Sequence, residues 1–132
     1  MRVPILRLGR VLLTSILADL TDDQAIQLQG EILALVRDDR ADGAVIDISG
    51  VEVVDSYMAR LLNETARMIR VMGGEAVLCG MQPFVALTLV EMGRECLEMR
   101  TALDLEAGVE MLKATIADRD AGRPAALVPP SA

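Results

Sequence analysis

The side chains best suited to chemistry fall within Gly43–Arg60, GAVIDISGVEVVDSYMAR: the carboxylates of Asp47, Glu52 and Asp55, and the hydroxyl of Ser56. Paired carboxylates can act as general acid and base or hold magnesium. Here Asp47 falls inside an apolar run that reads as a strand, and the spacing matches no ligand set. Histidine is absent from the chain. That removes Ser-His-Asp and Cys-His nucleophilic machinery, histidine phosphotransfer, and most zinc and iron ligand sets. Cys79 and Cys96 form no CxxC pair, and Cys79 ends the apolar run Ala76–Cys79 as a small buried hydrophobe, so nothing calls for an oxidising compartment. Gly73-Gly74 and Gly80 read as turn and cap residues, not as a phosphate-cradling loop. No enzymatic activity, cofactor or metal is expected.

Ser56 is the group left to explain. It stands where a strand and a turn have ended and a helix is about to begin. Unpaired backbone N–H groups and the positive end of the helix dipole welcome negative charge at such a point. Two readings are open from the residues alone. Asp55 or Ser56 is a helix cap worth about 1 kcal/mol, or Ser56 is a phosphoacceptor on a signalling protein.

The elements around this stretch follow from periodicity. Pro4–Leu8 and Val11–Leu17 are β-type runs split by Gly9-Arg10, a hairpin signal. Thr21 and Gln24 form a capping box, with Asp22 and Asp23 in the first turn of a helix running to about Arg37. Its apolar face is formed by positions 25, 28, 32, 35 and 36. The central strand, Ala44–Ile48, is almost continuously apolar, as befits a strand covered on both faces. A second helix carries Met58, Leu61, Leu62, Thr65, Met68, Ile69 and Met72 and stops at Gly73-Gly74. Glu75–Cys79 is the next strand. Pro83 then opens a third helix, whose face is lined by Phe84, Leu87, Val90 and Met92. A further strand is expected at Leu97–Arg100, and Asp104 caps a last helix striped by Leu105, Val109, Leu112 and Ile116. Ala121–Ala132, AGRPAALVPPSA, reads as a flexible tail.

The order β-β-α-β-α-β-α-β-α predicts a single α/β domain over residues 1–120. It is a small mixed sheet, an N-terminal hairpin followed by βα units, packed with about four helices. Sites in such sheets favour the loops after the strand C-terminal ends, and the loop holding Asp55-Ser56 is one. Composition narrows the partners. A net charge of −7 and a single Phe, a single Tyr and no Trp argue against nucleic-acid binding. No apolar run reaches the roughly 18 residues that span a bilayer, so a soluble, cytoplasmic protein is expected. Hydrophobic residues make up 52% of a small domain, an excess that favours burial against other chains.

Val3–Leu13 (VPILRLGRVLL), Ala44–Arg60 and Gly80–Gly93 (GMQPFVALTLVEMG), followed by Arg100-Thr101-Ala102-Leu103, resemble a STAS domain from about Val3 to Leu112. Within that family the chain is most similar to the RsbS-type antagonists of the stressosome. Tyr57-Met58, where anti-anti-sigma relatives continue with a Ser-Gly-type sequence, favours that branch. The resemblance implies that Ser56 is the phosphorylated serine, with Asp55 the acidic residue beside it, and a partner-binding loop of Glu52, Asp55, Ser56, Tyr57 and Met58. Thr88 lies where stressosome paralogues carry further threonines, although by itself it reads as a helix-packing threonine. The implied partners are further copies of the chain and an RsbR-type STAS paralogue in a large cytoplasmic assembly. An RsbT-type serine kinase and a phosphatase that resets Ser56 complete the set. Two alternatives stand beside this: an anti-anti-sigma factor that binds an anti-sigma kinase directly, and a small-ligand-binding STAS module.

Overall fold

The computed structural model describes residues 3–38, 41–91 and 99–127. The elements in chain order are β1 (Ile5–Leu8), β2 (Val11–Ser15), α1 (Asp22–Asp38), β3 (Gly43–Asp47), α2 (Ser56–Val71), β4 (Glu75–Cys79), α3 (Pro83–Glu91), β5 (Arg100–Ala102) and α4 (Leu105–Leu127). The strands form one sheet in the order β1-β2-β3-β4-β5. β1 is antiparallel to β2, and every later pairing is parallel. This is the mixed α/β architecture expected from the element order.

The hairpin closes through Gly9, whose φ of 62° is a left-handed conformation that a residue without Cβ adopts at little cost. The parallel strands are sandwiched. Alternate side chains Leu12, Ala44, Ile46, Ala76 and Leu78 join a core with α1 and α2. Their neighbours Val11, Val45, Val77 and Cys79 pack on the opposite face with Leu112 and Ile116 of α4. A period-two chain covered on both faces must be apolar at every position, which is why β3 and β4 read as unbroken hydrophobic runs. Gly43 admits α4 to this packing: a Cβ there would lie 2.5 Å from the Glu75 carbonyl oxygen and 2.9 Å from a Leu112 methyl.

The capping box forms as expected. The Thr21 N–H donates to Gln24 Oε1 at 2.9 Å, and the Gln24 N–H donates to Thr21 Oγ1 at 3.2 Å. At the opposite end of the sheet, Arg10 pairs with Asp42 and Asp120, and Arg119 pairs with Asp42 at 3.2 Å and with the Gly73 carbonyl. This network ties α4 to the hairpin turn and to the approach to β3.

Three expectations change. The fifth strand lies at Arg100–Ala102 instead of Leu97–Arg100, and residues 97 and 98 fall outside the described residues. α4 continues to Leu127, so the first part of the segment expected as a tail is helical. Propagating a helix that already exists needs no new nucleus. The third change concerns α3. Val85 and Leu89 are its buried residues, whereas Phe84, Leu87 and Val90 are 62%, 54% and 70% exposed. The helix is apolar nearly all round, so periodicity could not choose its inner face.

Leu112 is fully buried between Gly43 and the β3–β4 surface. Leu112→Ala is expected to lower unfolding free energy by about 2–5 kcal/mol in urea denaturation. A loss well under about 1 kcal/mol would mean that α4 is not clamped on the sheet as described.

Candidate functional site

The C-terminal edge of the parallel strands is where the chain turns from β3 toward α2. Asp47, the last residue of β3, organises that turn with its side chain. Its Oδ1 accepts the Ser49 N–H at 3.0 Å, and its Oδ2 accepts the hydroxyls of Ser49 and of Ser15 on β2, each at 3.3 Å. The backbone is held as well. Ile16 N–H donates to the Asp47 carbonyl at 2.8 Å, and Ile48 N–H donates to the Cys79 carbonyl at 3.0 Å. Gln82 reaches over from the start of α3, its Nε2 donating to the Ser49 carbonyl at 2.8 Å. Gly50 passes so close to Leu17 that a Cβ would lie 2.5 Å from its backbone.

The next segment, Val51–Val54, is not a strand. It is an irregular stretch nailed down at both ends, with Val51 and Val54 buried in the core. Asp19, in the loop between β2 and α1, secures the middle: its Oδ1 accepts the N–H groups of Glu52 at 3.0 Å and Val53 at 3.4 Å. The loop therefore reaches α2 with little freedom.

The two capping candidates separate at this point. Asp55 is the N-cap residue, with φ −90° and ψ 178°, and its Oδ1 accepts the Met58 N–H at 2.8 Å. Its carbonyl takes the first intrahelical bond, from Ala59 N–H at 3.0 Å. Ser56 is the first helical residue, is exposed, and its hydroxyl makes no hydrogen bond among the described residues. Because Asp55 already occupies Met58, the first-turn donors left over are the N–H groups of Ser56 and Tyr57.

The remaining expected site residues fall into two groups. Glu52 and Asp55 are exposed beside Ser56, while Tyr57 and Met58 are half-buried. Met58 turns inward against the core. Thr88 belongs to α3, where its Oγ1 donates to the Phe84 carbonyl at 2.9 Å, and it is not part of this loop. Sequence reasoning missed Asp19 as a loop anchor, because its partners lie more than thirty residues away, and Asp47 as the organiser of the turn, because it reads as a strand residue although its bonds to Ser49 are local. The four loops at this edge carry Asp19, Glu52, Asp55 and Asp104 and no Lys or Arg, so these loops are anionic, while exposed Arg60 lies one turn along α2 from Ser56.

Other chemistry at this edge is suppressed. The Cys79 thiol is fully buried at the end of β4. Its pKa is pushed up to about 12, first by burial and then by the charges of Asp47 and Asp104. It is an inert core group in consequence. Among the described residues no group of three or more Cys, Asp or Glu side chains is gathered in metal-binding geometry, and no helix is long and apolar enough to cross a membrane.

The division of labour between the adjacent polar residues gives a direct expectation. Asp55→Ala removes the cap and should cost about 1 kcal/mol of stability in chemical denaturation. Ser56→Ala, which breaks no hydrogen bond, should stay within about 0.5 kcal/mol of the wild type. Equal losses would place the cap on Ser56.

Comparison with known proteins places the fold in a family. A family model of the STAS domain matches residues 3–108. RsbS of Moorella thermoacetica, in a serine-to-glutamate variant, superposes with a TM-score of 0.78 at 38% identity, over 89% of this chain and 99% of that one. A chain from the stressosome, a signal integration and transduction hub, superposes with a TM-score of 0.70 at 37% identity, over 86% of this chain and 98% of that one. The RsbT co-antagonist protein RsbRA of Bacillus subtilis is 28% identical over 88 residues, which are 67% of this chain. The match spans only 32% of RsbRA's length. The chain belongs to the STAS domain family and, within it, to the RsbS type.

Proposed function

We propose that this protein is a non-enzymatic signalling scaffold in a cytoplasmic stressosome. It sequesters a serine/threonine switch kinase of the RsbT type and releases it when Ser56 is phosphorylated. The observation that carries the proposal is the state of Ser56. Its hydroxyl is exposed and, among the described residues, free of hydrogen bonds at the first position of α2, after a loop held by Asp19, Asp47 and Asp55. A kinase can take such a hydroxyl without opening the fold.

The physical consequences follow from position. A phosphate adds about −1.5 to −2 charges at pH 7. The N–H groups of Ser56 and Tyr57 and the positive end of the α2 dipole accommodate it. Asp55 and Glu52 make the added charge repulsive to anything anionic that approaches. The phosphorylated surface thus differs in charge and keeps its shape, so a partner fitted to the neutral hydroxyl loses its contact while the protein stays folded. A phosphatase reverses the change.

The likenesses support this reading in coarser terms. The serine-to-glutamate RsbS variant has the same fold over nearly its whole length, and a chain of a stressosome matches equally fully. RsbRA is by name a co-antagonist of RsbT. In this proposal the chain assembles with an RsbR-type paralogue and with its own copies, and the paralogue contributes the sensing segment.

The test is capture of the cognate kinase on immobilised protein. Wild type and Ser56→Ala should retain it equally, and Ser56→Asp should retain at least about tenfold less, a difference of about 1.4 kcal/mol. Circular dichroism confirms that each variant is folded. Equal retention by Ser56→Ala and Ser56→Asp would overturn the proposal.

A further inference from the structure

A phosphate on Ser56 needs a counter-charge, and the loops around the serine supply none: they carry Asp19, Glu52, Asp55 and Asp104 and no Lys or Arg. α2 itself supplies one. Arg60 is exposed and stands four residues after Ser56, about 6 Å further along the helix axis and about 40° round it. That is the spacing at which side chains meet on a helix surface. Arg67, the next arginine of α2, lies eleven residues from Ser56, about 16 Å along the axis and beyond the reach of one side chain.

The pairing of the basic side chains singles out the same residue. Arg10 is held by Asp42 and Asp120, Arg119 by Asp42, Arg37 by Asp38, and Arg70 and Arg100 by Glu75. Arg60 forms no hydrogen bond or ion pair among the described residues. Glu64 stands one turn further along α2, yet no ion pair joins it to Arg60. An acid one turn after its base is the poorer order, and an acid one turn before it is the better. Phosphorylated Ser56 is an acid in that better position. Lys113, the other described cation without a partner, lines a groove with Gly9 and Arg10 at the opposite end of the sheet.

We infer that Arg60 is the intramolecular receptor of the Ser56 phosphate: its guanidinium turns back over the first turn of α2 and donates to two phosphate oxygens. The planar fork of an arginine matches two oxygens at once, which a lysine ammonium does not. This rests on Ser56 being the phosphoacceptor and adds how the modified state is held, with Arg60 as a positioning residue. The consequence is electrical. A phosphoserine gives up its second proton at a pKa of about 6. Glu52 and Asp55 beside it, Asp19, Asp22 and Asp23 around the head of α1, and Asp104 before α4 all favour keeping that proton. Arg60 and the α2 dipole favour losing it. With Arg60 in place the site holds the full dianion at neutral pH, so each phosphorylation changes the surface by two charges rather than about one and a half. The clamp also ties the first turn of α2 to the second.

Phosphoserine placed at position 56 by amber suppression lets the clamp be tested without a kinase. Titrated by phosphorus NMR, the otherwise wild-type protein should show a second phosphate pKa lower than that of Arg60→Gln by at least about 0.5, roughly a threefold difference in proton affinity. Arg60→Lys should fall between the two, and Arg67→Gln should titrate like wild type. At about pH 7.5 the phosphate should raise the thermal midpoint more in wild type than in Arg60→Gln. Because the clamp lowers the phosphate pKa in the folded state, the extra gain is present above about pH 6 and is lost as pH falls through the folded value. Equal pKa values in wild type and Arg60→Gln would overturn the inference. So would an equal change in Arg67→Gln, the sign of a diffuse field, or equal thermal gains with and without Arg60. Such a failure leaves the kinase-capture result standing, whereas a failed capture with the pKa difference present counts against the proposed function and not against the clamp.

Discussion

The carboxylate of Asp47 is the constraint on which the rest of the site depends. It ends β3 and binds the backbone and hydroxyl of Ser49, and it reaches sideways to Ser15 on β2. Gly80, at the end of β4, must be glycine here: its φ is 74°, and a Cβ would lie 2.4 Å from Asp47 Oδ1. One side chain thus links β3 to β2 and packs against the backbone that follows β4. A turn held in this way leaves the following loop one path to the helix, and Asp19, Val51 and Val54 remove most of the remaining freedom. The orientation of Ser56 is a consequence of that chain of contacts more than of any property of the serine.

Two opposite demands meet at the start of α2. The helix needs its first N–H groups satisfied, and the proposed phosphoacceptor needs its hydroxyl unengaged. Asp55 resolves this by taking the capping role through Met58, so that Ser56 stands in the first turn with its hydroxyl unbonded among the described residues. The loops around it are anionic, yet the helix terminus itself favours negative charge. A phosphate is locally tolerable and still alters what a partner meets. Such a change of surface on a fixed frame suits a protein that signals by being bound or released.

Much of this was legible in the sequence because it is local. The capping box at Thr21 and Gln24, the start of α4 after Asp104, Pro83 at the head of α3 and the unbroken apolar strands all depend on neighbours a few residues apart. The STAS resemblance extended that reading to the RsbS type. What escaped was mostly long-range. Asp47 looked like one carboxylate in a loose cluster with Glu52 and Asp55, but it is consumed by Ser15 and Ser49. Asp19 carried no signal, since its bonds to Glu52 and Val53 span more than thirty residues. The outward turn of Phe84 was hidden because α3 is apolar all round, and only packing against the sheet decides which residues go inside.

The proposed switch turns on one covalent event, phosphorylation of Ser56. The most direct measurement is phosphopeptide mapping by mass spectrometry after incubation with the cognate RsbT-type kinase and ATP, using wild type and Ser56→Ala. A dominant phosphopeptide spanning Asp55–Arg60 with the modification on Ser56 is expected, and its loss in Ser56→Ala. Phosphorylation confined to another residue, or undiminished in Ser56→Ala, would contradict the proposed switch.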